Sequence, residues 1–177
     1  MKQPGVPAMH RKPMQSPATL RRAALRIALG LGIGASMAAL LGACASAPKP
    51  TLVSGRLQAA ADVNPSVSKR PSPLFVRVYE LKSATAFNSA DFHALFQRDQ
   101  AELGADLVGR EEIMLNPGES RPITKTLSPE TRFIGVFAAY RDLERARWRA
   151  VVTIVPGKKN NLMVRADELA ISAALSK

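Results

Sequence analysis

Seventeen consecutive uncharged residues, 27–43 (IALGLGIGASMAALLGA), end one position before Cys44, the chain's only cysteine. That juxtaposition divides the chain into two parts with different physical tasks. A single thiol leaves no internal disulfide framework and no cysteine-rich zinc site, so no covalent staple supports what folds after it. Arg21, Arg22 and Arg26 precede the apolar run, and a basic stretch followed by a Gly/Ala-rich apolar one is the order of an export signal. The run falls just short of the roughly 18 residues expected of a spanning helix.

The last four residues of this segment, Leu41-Gly42-Ala43-Cys44, resemble the lipobox of bacterial lipoproteins. A branched aliphatic and two small residues let a signal peptidase approach the bond before Cys44, whose thiol takes a diacylglyceryl group. Residues 1–43 are read as the signal peptide and Cys44 as the lipidation site. Acyl chains at about 0.8 kcal/mol per buried CH₂ hold such a protein to a bilayer without a membrane-spanning helix. Ala45, where an inner-membrane lipoprotein resembling this type carries Asp, favours sorting to the outer membrane. Residues 44–50 form a polar tether whose six positions after the cysteine reach at most about 20 Å. The leader is long for its type, and Met14 offers a start that shortens it to 30 residues. Arg21-Arg22 only partly matches a twin-arginine signal, because Ala24 stands where an aromatic or strongly apolar residue belongs.

The leader also changes the meaning of the charge. A formal net charge of +11, from 25 Lys+Arg against 14 Asp+Glu, suggests nucleic acid or an anionic membrane. Six of those cations (Lys2, Arg11, Lys12, Arg21, Arg22, Arg26) precede residue 43, together with none of the acids. The mature surplus is therefore five, spread without a basic block, and a nucleic-acid partner is not expected. His10 and His93 are the only histidines. A multi-histidine metal site is excluded and a catalytic triad has one candidate imidazole at most. No cofactor or metal is expected, and His93 is read as a solvated surface residue.

The full chain is 46% hydrophobic, and the part after the leader suffices for one modest domain, residues 51–177. Val53, Gly55, Leu57, Ala59, Ala61 and Val63 alternate with mostly polar neighbours, the period of a half-buried strand. Three prolines within residues 64–73 then enforce a loop. Residues 74–81 (LFVRVYEL) are β-prone on both faces, as a central strand requires. Phe92, Leu95 and Phe96 recur at helical spacing after Asn88, read as an N-cap with Asp91 at its third position, and Gly104 stops the insert. This helical insert, near 87–104, is expected to pack onto a sheet. Further strands are expected over 112–115, 121–127, 131–140, 148–154, 161–166 and 169–174, the fourth-last of the chain's segments, 131–140, being the most buried. About eight strands with turns at this spacing predict a mainly β fold, a β-sandwich with a short helical insert. The charged run Arg141-Asp142-Leu143-Glu144-Arg145 is read as a solvated hairpin.

The ordered set Ala61-Asp62-Val63-Asn64-Pro65, Ser72 through Leu81, Phe87 through Leu95, Leu115-Asn116-Pro117-Gly118-Glu119, Arg132-Phe133-Ile134-Gly135-Val136, Tyr140-Arg141-Asp142 and Trp148-Arg149 resembles the type VI secretion system lipoprotein family TssJ. The resemblance covers nearly all of the mature chain. It implies a transthyretin-like β-sandwich tethered to the periplasmic face of the outer membrane. It further implies that the sandwich grips the C-terminal periplasmic domain of the inner-membrane protein TssM, in an assembly that also contains TssL. In that family the loop between the first two strands carries much of the contact. Its counterpart here comprises Asn64, Pro65, Ser66, Val67, Ser68, Lys69, Arg70 and Pro71, with Ser72 and Pro73 closing it. Prolines in such a loop restrict its unbound ensemble, so less entropy is lost on docking.

Two other classes compete. A cell-wall hydrolase would need two carboxylates, such as Glu111-Glu112 or Asp167-Glu168. Adjacent residues on a strand face opposite sides, which argues against such pairs. A carbohydrate-binding module on the same outer-membrane lipoprotein is the non-catalytic form of that alternative. The expectation is a non-enzymatic anchor and assembly module.

Overall fold

The computed structural model describes residues 49–176; the signal peptide, Cys44 and most of the tether lie outside the described residues. Eight strands form two four-stranded sheets. The strands are β1 (Thr51–Ala59), β2 (Leu74–Leu81), β3 (Leu107–Leu115), β4 (Ser120–Leu127), β5 (Phe133–Ala139), β6 (Arg149–Thr153), β7 (Lys159–Ala166) and β8 (Ile171–Ser176). One sheet has the order β4-β1-β7-β8, the other β3-β2-β5-β6. All neighbours are antiparallel except β1 and β7, which run parallel. Two short helices, α1 (Thr85–Ser89) and α2 (Phe92–Leu103), with a 3-10 turn at Gly104–Asp106, connect β2 to β3.

The period-two pattern of β1 buries Val53, Leu57 and Ala59 against Val76, Val78, Ile134 and Val136 of the facing sheet. Each buried Val, Leu or Ile among them contributes about 1.5–3 kcal/mol on leaving water. Gly55 belongs to this row for a backbone reason. Its φ is +155°, and a Cβ there would stand 1.7 Å from the Leu162 carbonyl oxygen on β7, so only glycine lets the parallel pair close. β2 and β5 are apolar on both faces because both faces are covered. Their second face, with Tyr79, Leu81 and Phe137, packs against Phe87, Leu95 and Leu103 of the insert. Gly135 lies under that packing: a Cβ there would come within 3.0 Å of Leu81 and 3.2 Å of the Phe87 ring, so those side chains would have to shift by a few tenths of an ångström.

The insert departs from the sequence reading at its start. Asp91, not Asn88, caps the longer helix, its carboxylate accepting the Ala94 N–H at 2.8 Å. Asn88 lies inside the five-residue α1, its N–H donating to the Ala84 carbonyl at 2.9 Å. Within α2 the backbone breaks at Arg98 (φ −142°). The carbonyls of Leu95 and Phe96, just before the break, both accept from Arg77 Nη1 at 2.9 Å. Arg149 does the same for α1, donating to the Phe87 and Ala90 carbonyls at 3.1 and 2.7 Å. Two arginines rooted in one sheet thus satisfy helix carbonyls that would otherwise lack donors.

The remaining strands start or stop within a few residues of the sequence reading, with two differences. β1 ends at Ala59, leaving Ala61 exposed in a turn, and β3 begins at Leu107, five residues earlier than the apolar run suggested. Every buried apolar residue among those described lies between Val53 and Ile171, so the sandwich draws its core from this segment alone.

Candidate partner-binding groove

Strand directions bring four connections to one end of the sandwich. The end of β1, the end of β7 and the starts of β4 and β8 meet there in one sheet, and the start of β2 with the ends of β3 and β5 in the other. The loop between β1 and β2 is fixed at its neck. Val63 is fully buried, the Asn64 N–H donates to the Glu168 carbonyl at 3.0 Å, and the Ser72 N–H donates to Val63 at 3.1 Å. Beyond the neck the chain is bonded mainly to itself. The Ser66 N–H donates to the Arg70 carbonyl at 2.8 Å, the Lys69 N–H to the Ser66 carbonyl at 2.9 Å, and the Arg70 N–H to Ser66 Oγ at 3.2 Å. Lys69 takes a left-handed φ of +62° to close this turn. A self-bonded tip needs no partner to define its shape, which lowers the ordering cost of docking.

Of the eight residues assigned to contact, the structure divides the set. Val67, Ser68, Lys69, Arg70 and Pro71 are exposed, with Val67 at the apex, and Pro65 and Ser66 are half-buried. Asn64 differs in kind: only 3% exposed, it faces inward. Its amide donates to the Pro73 carbonyl at 2.9 Å and accepts the Arg141 N–H at 2.9 Å, so its side chain builds the loop rather than presenting a surface.

The second of those bonds leads to the opposite wall. Residues 141–145 do not form an isolated hairpin; they face the β1–β2 loop across a groove of about 810 Å³ whose lining includes Pro65, Val67, Lys69, Asp142, Leu143, Glu144 and Leu169. This wall is also stabilised internally. Arg145 Nε donates to Asp142 Oδ2 at 2.7 Å and the Ala146 N–H to the Asp142 carbonyl at 3.0 Å. The hydrogen bond from Arg145 holds the Asp142 carboxyl below its ordinary range. Beneath the groove the Tyr140 hydroxyl donates to the Asp167 carbonyl at 3.2 Å, and burial raises the pKa of that phenol. The result is a rigid cleft with apolar contributions from both walls and both signs of charge on its rim. The sequence reading preferred a solvated hairpin for this second wall because its charges read as solubility; the pairing of β2 with β5 shows that the two loops adjoin.

The carboxylate pairs considered for hydrolysis are separated by their partners. Glu112 accepts from Arg77 Nε at 2.8 Å while Glu111 faces the other way, and Asp167 is bound by Arg165 at 2.6 Å. His93 is exposed, its ring edge-on to Phe92. Among the described residues no group of three or more His, Cys, Asp or Glu is placed to hold a metal ion.

Comparison with known proteins gives the same architecture a family. Residues 51–169 match the family model of the type VI secretion lipoproteins (VasD, EvfM, TssJ). No curated protein matches the chain. Among solved structures, the T6SS lipoprotein TssJ1 from Pseudomonas aeruginosa is similar with 43% identity and a TM-score of 0.70, over 72% of this chain and 98% of that one. Serratia marcescens Lip, a membrane-bound component of the type VI secretion system, shares the fold at 24% identity and a TM-score of 0.65, over 72% and 97%. A chain in a type VI membrane complex matches at 26% identity and a TM-score of 0.60, over 72% and 98%. The chain therefore belongs to the type VI secretion lipoprotein family, the TssJ family.

Proposed function

We propose that this lipoprotein is held in the outer membrane by acyl chains on Cys44, and that its groove binds the C-terminal periplasmic domain of TssM. It would thereby anchor the secretion system's envelope-spanning assembly, which also contains TssL. The observation that carries this reading is the opposition of two ends. The chain enters the sandwich at Thr51, at one end of β1, and the groove is built at the other end of the same strand. Nine residues of strand at about 3.3 Å each separate them by roughly 30 Å. A tether leaving one end thus presents the groove away from the membrane, toward whatever spans the periplasm. The 26% identical chain of a solved type VI membrane complex supports the same role.

The test is a binding measurement between residues 49–177 and the isolated periplasmic C-terminal domain of TssM. A complex is expected, with affinity reduced at least tenfold when residues 66–71 are replaced by a short glycine linker and the thermal midpoint unchanged. No detectable complex at high micromolar concentration would sink the partner reading. Retention of a Cys44→Ser variant in the membrane fraction would separately sink the lipid anchor.

A further inference from the structure

The end of the sandwich away from the groove has its own chemistry. Asn160, buried at 3% exposure, gathers three segments through one side chain. Its amide nitrogen donates to the carbonyls of Leu52, Val155 and Lys158 at 3.4, 3.1 and 3.1 Å, and its oxygen accepts the Val155 N–H at 2.8 Å. The Leu52 N–H donates to the Lys158 carbonyl at 3.0 Å, and the Gly157 N–H to Thr51 Oγ1 at 2.8 Å. The start of β1 and the turn between β6 and β7 therefore form one surface.

That surface exposes two large apolar side chains, Val155 at 50% and Leu52 at 40%, where the core offers neither a place. Lys159 is the register partner of Leu52, Lys158 precedes it and Lys49 lies beside Gly157 of the same turn; all three are exposed, and none has a carboxylate within ion-pair distance among the described residues. Glu130, the acid in the neighbouring β4–β5 turn, is occupied by Lys82 at 3.0 Å. Exposed apolar side chains beside unpaired ammonium groups are the composition of a surface that lies on an anionic bilayer.

From this we infer that the end formed by Leu52, Val155, Lys49, Lys158 and Lys159 is a membrane-contacting face that rests on anionic phospholipid headgroups. The position of the remaining chain argues for a bilayer over a protein partner, since the described chain begins at this end with Lys49 and the tether from Cys44 spans at most about 20 Å. Each lysine is attracted weakly to an anionic surface, and salt screens that attraction within a Debye length. Such weak attraction is insufficient for a free protein but effective once a tether has raised the local concentration to the millimolar range. Docking of this face would fix the sandwich upright and aim the groove at its partner. The inference rests on the lipid-anchor reading for its biological setting, but its test does not.

The lone thiol of Cys44 allows residues 44–177 to be coupled chemically to a maleimide-headgroup lipid in vesicles, independently of cellular lipidation. Hydrogen exchange of residues 51–53 and 157–159 is compared on vesicles of neutral phosphatidylcholine and on vesicles with about one-third phosphatidylglycerol. At least fivefold slower exchange is expected on the anionic vesicles at low salt. The protection should vanish in 0.5 M salt and in the combined variant Lys49→Gln, Lys158→Gln, Lys159→Gln, while residues 66–70 exchange alike on both vesicles. The variant's thermal midpoint, measured alongside, should match the parent's, because all three side chains are exposed. Equal exchange on the two vesicle types, or protection unchanged in the triple variant, would overturn the inference. Protection appearing only when the TssM domain is added would assign the face to protein instead.

Discussion

Asn64 accepts the backbone N–H of Arg141 at 2.9 Å across 77 residues of sequence, and this bond joins the two loops that wall the groove. The same buried side chain donates to Pro73, closing the neck of its own loop. Asn64 also holds a left-handed φ of +51°, which asparagine tolerates better than alanine. Asn64→Ala therefore removes two hydrogen bonds, leaves buried polar groups without partners and strains the backbone. A loss of about 2–3 kcal/mol is expected in urea unfolding. Affinity for the TssM domain should fall as well, although the residue itself is not exposed to a partner. A variant as stable as the parent would show that the neck is held by the remaining backbone bonds alone.

Glu80 lends the fold a sensitivity to acid. Burial between the sheets raises its pKa, but this is outweighed by the Lys125 ammonium at 2.6 Å, the Ser128 N–H at 3.2 Å and the Thr131 hydroxyl at 2.9 Å, so the net shift is downward from 4.5. A carboxylate whose folded pKa is depressed contributes stability that is complete above its unfolded value and is lost as pH falls through the folded one. The contribution is thus constant near neutrality, begins to fall below about pH 4.5 and is gone only below the depressed folded pKa. Glu80→Gln should lower the thermal midpoint at pH 7, where Lys125 loses its counter-charge, and should narrow the difference between midpoints at pH 7 and pH 3.5. If the two proteins lose the same amount of stability over that interval, other carboxylates govern the acid response.

The sandwich was legible in the sequence because its rule is local. Alternation in residues 53–59, two-sided apolar character in residues 74–81 and regular turn chemistry each reflect a constraint that neighbours along the chain reveal. What sequence could not show is what depends on strand order. Asn64 is an ordinary loop residue until β2 is seen beside β5, which places Arg141 within reach. The run 141–145 reads as solvated because it is charged, and Asp142 does pair with Arg145 within it, yet that internal bond makes it a stiff wall. Lys158 and Lys159 look like turn residues until the parallel pairing of β1 with β7 sets them beside Leu52 and the tether. The misplaced helix cap has a related cause: Asn88 and Asp91 both have capping chemistry, and the preceding turn of α1 decides between them.

Asp99 holds the helical insert to the sandwich through a buried ionic cluster, and the prediction for it separates insert from sandwich. The carboxylate is 4% exposed and accepts from Tyr79 at 3.1 Å, from Arg110 at 2.7 Å on both oxygens, and from the Gln100 N–H at 2.9 Å; Arg77 lies 3.6 Å away. It therefore stands between the break in α2 and two strands of the sheet beneath. Removing one member of a buried ion pair leaves the other uncompensated and costs about 3–5 kcal/mol, with the partial exposure of Arg110 placing this case at the lower end. Trp148, the only tryptophan, packs edge-on against Phe92 of α2 at 5.4 Å and against Phe137 of β5 at 5.7 Å, so its emission senses loss of the insert from the sheet. In Asp99→Ala its emission should shift to longer wavelength at lower urea than the loss of β-sheet circular dichroism, whereas the parent shows coincident transitions. Arg77→Lys keeps a charge beside Glu112 but loses the two-carbonyl clamp on Leu95 and Phe96, and should show the same separation in milder form. Coincident transitions in both variants would mean that the insert and the sandwich unfold as one unit, held by Phe87, Leu95 and Leu103 rather than by the ionic cluster.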